Sequence, residues 1–141
     1  MLIKNQIGIL SSARSRIESI LTGITGVLQA DLFDNELEAA RHLQRNGHLR
    51  AAGTIAGVVL EGHLRKVAET HGLGPQTKDK TLNPIKDALR KADVIDLPTA
   101  RRIEFFGDLR NRCAHKGDKE PTSDDVSDLI GGVDWAIKTI S

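Results

Sequence analysis

The segment from Thr122 to Ile140 reads TSDDVSDLIGGVDWAIKTI and carries the clearest helical pattern in the chain. Its apolar side chains recur at steps of three and four residues, at Val126, Leu129, Ile130, Val133, Ile137 and Ile140. This period predicts an amphipathic helix with one buried face. Thr122 is the expected N-cap, and Asp124 and Asp125 suit the positive end of the helix dipole. The segment therefore predicts a capped helix that packs on the rest of a helical domain.

Trp135 does not share the apolar face of this helix. At 100° per residue it lies about 160° from the centre of the stripe, so the only tryptophan points off the core-facing side. A partner surface is the expected use for a large apolar side chain in that position.

The helical period continues upstream. It predicts helices over residues 3–28, 31–45, 48–70, 83–93 and 97–116, with turns at Asn46-Gly47 and over Gly72 to Lys80, and with Leu97-Pro98 opening the last helix. The first of these helices has an apolar stripe at Ile3, Ile7, Leu10, Ile17, Leu21, Ile24 and Leu28, with Arg14 in its one gap.

The fold expected is all-α, an antiparallel up-and-down bundle of about five to six helices. One domain fills 1–141, with 1–47 as a helical N-terminal addition and 48–141 as the main bundle.

Composition excludes several classes of protein. The chain has 141 residues, of which 39% are apolar and 28% charged, so it suits one globular domain. Aromatic residues make up only 3%, which disfavours a β-sandwich and a stacking platform for single strands. A single cysteine, Cys113, and five scattered histidines give no metal motif, and no cofactor-binding motif is present. Without a signal peptide or an 18-residue apolar run, we expect a cytoplasmic protein with no membrane partner.

The net charge of +1 conceals two opposite regions. Residues 97–119 hold six basic and three acidic side chains, a balance of +3, whereas residues 120–141 hold five acidic and one basic, a balance of −4. The basic region contains Arg110, placed at the flank of the apolar stripe, and His115 near the helix end. An arginine at that flank needs an acidic partner, a cleft or another subunit. The alternative explanation is simpler, since a helix that ends in cations complements its own dipole.

The run Arg110-Asn111-Arg112-Cys113-Ala114-His115 resembles the R-x4–6-H motif of the HEPN superfamily, the small all-α domains of many prokaryotic toxins, phage-defence proteins and CRISPR-associated ribonucleases. The resemblance extends over residues 49–140. Glu61 to Lys66 is similar to a second motif of some members, a glutamate, three residues and two basic residues, although the order of its basic residues is reversed. An ordinary i,i+4 pair between Glu61 and Arg65 is the favoured alternative.

The resemblance implies a metal-independent endoribonuclease with no cofactor. His115 would act as general acid or base, Arg110 would bind the scissile phosphate, and Asn111 would orient His115 or the substrate. Arg112, Lys116 and Lys119 would hold flanking phosphates, and Glu61 and Arg65 are further candidate substrate-binding residues. Cleavage by the 2′-OH would leave 2′,3′-cyclic phosphate and 5′-OH ends. The resemblance also implies a homodimer with a composite site and a cognate antitoxin protein in a toxin–antitoxin or anti-phage system. The alternative is a non-catalytic HEPN-like dimer that binds RNA or nucleotides or serves as a protein-interaction module.

Overall fold

A computed structural model of the chain describes residues 2–117 and 119–141. Its helices are α1 (Leu2–Arg45), α2 (Leu49–Thr70), α3 (Gly74–Thr77), α4 (Leu82–Lys91), α5 (Leu97–Ala114) and α6 (Ser123–Thr139). The described residues contain no strand, so the prediction of an all-α bundle is confirmed. No helix in the described part has the length and apolar character that crossing a bilayer requires.

The N-terminal region differs from the two helices predicted for it, because α1 is continuous from Leu2 to Arg45. Gly23 and Gly26 lower helix propensity, but no proline lies between residues 2 and 45 and neither glycine has a positive φ. The helix ends where predicted, just before Gly47, whose φ of +83° is a conformation that favours glycine. The predicted loop after Gly74 also begins with one short helical turn, α3.

The chain divides into two compact units, Met1–Asn35 and Glu36–Ser141. The first unit is the N-terminal part of α1, and its large apolar side chains are exposed at Ile17, Ile20, Leu21, Ile24, Val27, Leu28 and Leu32. The side chains of Ile3, Ile7 and Leu10, which belong to the predicted stripe, lie outside the described part of the chain, as does Asp118.

The second unit is built around α2, which packs against α4, α5 and α6. Its core is aliphatic, with fully buried side chains that include Leu37, Leu60, Leu64, Ile85, Leu89, Ile103, Leu129 and Val133. The helices α5 and α6 are antiparallel, because Arg112 near the end of α5 pairs with Asp125 at the start of α6. In contrast, α2 and α6 run in the same direction, since Gly53 lies beside Leu129 and His63 bonds to the backbone of Ile140.

The start of α6 confirms the predicted cap. Thr122 Oγ1 accepts from the backbone N–H of Asp125 at 3.1 Å, and the Asp125 carboxylate accepts from the Thr122 N–H at 3.0 Å. That backbone hydrogen bond, together with the guanidinium of Arg112, lowers the pKa of Asp125.

On the same helix, Trp135 is half-buried, and the guanidinium carbon of Arg102 lies 4.0 Å from its ring centroid. The tryptophan therefore stacks with a cation of its own chain, and the expected partner surface stays a prediction.

His63 is a histidine at the edge of the core, and its ring is hydrogen-bonded to the backbone at the end of α6. Its Nε2 donates to the carbonyl oxygen of Ile140 at 2.7 Å. Burial of the ring lowers the pKa of His63 below its ordinary value of 6.5, because the charged form loses hydration. The neutral imidazole is thus the form that joins the end of α6 to α2.

We expect the free energy of unfolding to fall as pH drops through about 6.5, because the unfolded chain then binds a proton that folded His63 resists. His63→Gln keeps a donor for Ile140 but does not titrate, so its unfolding free energy should change less between pH 7 and pH 5. Denaturant titrations at several pH values measure this difference, with the exposed His48→Gln as control. Equal pH dependence of the wild type and His63→Gln would contradict the assignment.

Candidate active site at the end of α5

Arg110 extends from α5 across a notch in α2. The notch is Gly57, where an added Cβ would lie 2.0 Å from Cγ of Arg110, so only glycine leaves room for the arginine stem. The Arg110 side chain is 24% exposed, and its Nη1 lies 3.7 Å from Oε2 of Glu61. Its Nε is buried and has no hydrogen-bond partner among the described residues. Arg110 therefore has an acidic partner, one of the three surroundings predicted for it, and retains unused donors.

Glu61 lies between two arginines of the site. Its Oε1 accepts from Arg65 Nη2 at 2.9 Å, which confirms the predicted i,i+4 pair, and its Oε2 faces Arg110. Arg65 also donates to the carbonyl oxygen of Lys80. The structure thus brings together Arg110, Glu61 and Arg65, three of the residues singled out in the sequence, with one carboxylate between two guanidinium groups.

His115 and Asn111 lie on the solvent side of the end of α5. His115 is the C-cap, with extended backbone, and its N–H donates to the carbonyl oxygen of Asn111 at 3.0 Å. Both residues are exposed. The imidazole therefore lies where a large substrate could reach it, five positions after Arg110 in the chain.

The other predicted phosphate-binding residues differ in their surroundings. Arg112 Nη1 donates to Asp125 Oδ2 at 2.9 Å, so its charge is already paired within the chain. Lys116 and Lys119 are exposed, in the segment that follows the helix. These two lysines are therefore accessible to a polyanion. Arg112 could contact a polyanion only after its ion pair with Asp125 breaks.

Arg50, in the first turn of α2, is the site residue that the sequence analysis missed. Its Nη1 donates to three carbonyl oxygens at the end of α5, those of Arg112, Cys113 and His115, at 3.0–3.1 Å. Its Nη2 lies 2.8 Å from Oε2 of Glu120, and this contact lowers the pKa of Glu120. Arg50 therefore neutralises the carbonyl end of α5 and fixes the backbone that carries His115.

Removing this contact should loosen the end of α5. We expect Arg50→Met, which keeps much of the side-chain volume but no donor, to lower the free energy of unfolding by about 1 to 2 kcal/mol, because three carbonyls lose a charged donor. Hydrogen exchange at the His115 amide should also become faster. Arg101→Met is the matched control, since Arg101 is an exposed arginine on α5. Protection of that amide unchanged by Arg50→Met would refute this role for Arg50.

The remaining chemistry near the site is limited. Cys113 is buried, and burial raises the pKa of its thiol, which disfavours a reactive thiolate. Within residues 2–117 and 119–141, no three His, Cys, Asp or Glu side chains are grouped so as to hold a metal ion. The groups proposed for chemistry are therefore not the thiol but the Arg110 guanidinium, the His115 imidazole and the nearby lysines.

Comparison with protein-family models, with curated proteins and with solved structures finds no match to this chain.

Proposed function

We propose that the chain is a metal-independent endoribonuclease of the HEPN type. The observation that carries the proposal is the half-buried guanidinium of Arg110, held beside Glu61 five residues before an exposed histidine at a helix end. A fixed cation can stabilise charge on the phosphoryl oxygens, and an imidazole can act as general acid or base, so the two groups together can promote phosphodiester cleavage.

In the proposed reaction the RNA 2′-oxygen attacks the adjacent phosphorus, and the bond from phosphorus to the 5′-oxygen breaks. His115 accepts the proton of the 2′-OH while water protonates the departing 5′-oxygen, or His115 protonates the 5′-oxygen while water takes up the 2′-OH proton. Arg110 donates hydrogen bonds to the phosphoryl oxygens, where negative charge increases in the transition state. Lys116 and Lys119 contact flanking phosphates, and Asn111 contacts the substrate or His115. The products are a 2′,3′-cyclic phosphate and a 5′-OH end.

By its resemblance to HEPN domains, the proposed enzyme is a homodimer in which two such sites face each other. The proposal includes a cytoplasmic role in a toxin–antitoxin or anti-phage system, with an antitoxin protein as partner. In such a dimer the Arg110 guanidinium groups of both copies would lie in one composite site. Their positive charge favours a polyanionic substrate over a neutral one.

A second candidate function rests on the ion pairs of the site. Glu61 faces Arg110, and Asp125 pairs with Arg112, so two of the arginines are already partly neutralised within the chain. This favours a non-catalytic HEPN-like dimer that binds RNA or nucleotides or joins other proteins.

The test is incubation of the full chain with end-labelled RNAs in EDTA. We expect cleavage without added metal, with products that carry 2′,3′-cyclic phosphate and 5′-OH ends. A matched RNA with 2′-deoxy residues should stay intact, because it lacks the nucleophile. Binding of RNA without cleavage would support the second candidate, and cleavage of the 2′-deoxy control would refute the mechanism.

A further inference from the structure

The exposed apolar side chains of the first unit recur along α1 with a regular spacing. From residue 14 to residue 31, the positions 14, 17, 21, 24, 28 and 31 alternate steps of three and four. This is the 3.5-residue repeat of a coiled-coil seam, in the a and d positions. Four of the six seam positions are apolar, namely Ile17, Leu21, Ile24 and Leu28, and each of these side chains is more than half exposed.

Two glycines lie away from this seam. Gly23 and Gly26 occupy the c and f positions of the repeat, and space around Gly23 is open to beyond 4 Å. Glycines weaken a lone helix by about 1 kcal/mol each relative to alanine. A helix segment with two glycines and an exposed apolar seam gains stability when a second helix covers the seam.

The two polar positions of the seam indicate which helix covers it. Arg14 is an a residue and Asp31 is a d residue, and they lie at opposite ends of the four apolar positions. In a parallel, in-register pair of two copies, Arg14 would face Arg14 and Asp31 would face Asp31. Like charges facing each other in a helix seam oppose association, so the sequence disfavours that arrangement.

An antiparallel pair removes both conflicts. In antiparallel coiled coils an a residue packs against a d residue of the other helix, so Leu21 can face Ile24 of a second copy. The same register sets Ile17 against Leu28 and Arg14 against Asp31. The result is four apolar layers with an Arg14–Asp31 pair at each end, over a length of about 26 Å. Ile20 and Val27, both exposed g residues, would extend the apolar contact along one side.

We propose that residues 14–31 of α1 associate with the same residues of a second copy of this chain as an antiparallel coiled coil. The contact uses no residue of the candidate active site, whose residues all belong to the second unit. It does not depend on the ribonuclease proposal, and its tests use no RNA.

The first test exchanges charges in the full chain and measures mass by light scattering or sedimentation over a concentration series. Arg14→Glu places a carboxylate opposite Asp31 twice in each pair, so association through this contact should weaken by about a hundredfold or more. The double variant Arg14→Glu/Asp31→Arg restores opposite charges in the antiparallel register and should restore association. Arg16→Glu makes the same charge change at a c position, off the seam, and should leave association unchanged.

Circular dichroism of each variant checks that helix content is retained. Failure of the double variant to regain association, or a wild type that is monomeric at tens of micromolar, would overturn the proposal. A monomeric wild type would assign the seam to a different protein or to a lipid surface.

A second test distinguishes the direction of the helices by disulfide formation. Ile17 should face Leu28 of the other copy, whereas the two Ile17 residues of a pair would lie about 16 Å apart, too far for a disulfide. Under mild oxidation, a mixture of Ile17→Cys and Leu28→Cys chains should therefore cross-link, and each variant alone should not. The wild type, with its buried Cys113, is the control. Cross-linking of either variant alone would show a parallel pair and overturn the antiparallel arrangement.

Discussion

His115→Ala and Arg110→Ala should each reduce metal-free RNA cleavage by at least about a hundredfold. The histidine variant loses the proton carrier, a contribution of about 10² to 10⁴ in rate. The arginine variant loses the donors that stabilise charge on the phosphoryl oxygens, a contribution of about 10² to 10³. Initial rates on a labelled RNA in EDTA measure both effects, and circular dichroism confirms that each variant is folded.

Two further variants make this prediction specific. Arg110→Lys keeps the positive charge but not the two-pronged hydrogen bonding of a guanidinium, so we expect it to recover only part of the activity. His71, exposed at the other end of α2 from Arg50, and Arg101, exposed near the start of α5, provide the matched alanine controls and should leave the rate unchanged. Cleavage at equal rates by wild type, His115→Ala and Arg110→Ala would refute the catalytic assignment.

Gly132→Ala should destabilise the bundle by about 3 kcal/mol, because α6 passes against the ring of Phe106. A Cβ at position 132 would lie 2.2–2.6 Å from three ring atoms of Phe106, which is itself buried. The ring is rigid, so the helices or the ring would have to move. Thermal or denaturant unfolding of the purified variant measures the loss.

The adjacent glycine is the control for this substitution. Gly131 has open space around it to beyond 4 Å, so Gly131→Ala changes helix propensity without a clash and should stabilise by about 0.5 to 1 kcal/mol. If both substitutions changed the free energy of unfolding in the same direction, the contact with Phe106 would not limit how closely α6 packs on α5.

The sequence predicted the second unit well where local signals exist. The Thr122 side chain accepts the capping hydrogen bond of α6, and Gly72 follows the end of α2 with a positive φ. These signals act within a few residues of the helix end, so they can be read from one segment at a time. The predicted break near residue 30 was wrong because its evidence was only two glycines and a change in charge, which lower helix stability without ending a helix.

The candidate site was predictable only in part, because several of its contacts join residues that are far apart in the sequence. The position of Arg110 on the edge of the stripe predicted an acidic partner as one of its possible surroundings, and Glu61 is that partner. Arg50 is 62 to 65 positions from the carbonyls that it binds, and no periodic signal in one helix identifies such a contact. The ion pair between Arg112 and Asp125 could not be predicted either, because it depends on how α5 and α6 cross.

The shared direction of α2 and α6 affects the order in which this bundle can fold. Helices that run the same way cannot be joined by a short turn, and the contact between His63 and Ile140 links residues 77 positions apart. Pairing of α5 with α6 needs only the short connection between them, whereas α2 must wait with one face uncovered until α6 has been synthesised. During translation, the apolar face of α2 is thus open to chaperones or to premature association until α6 covers it.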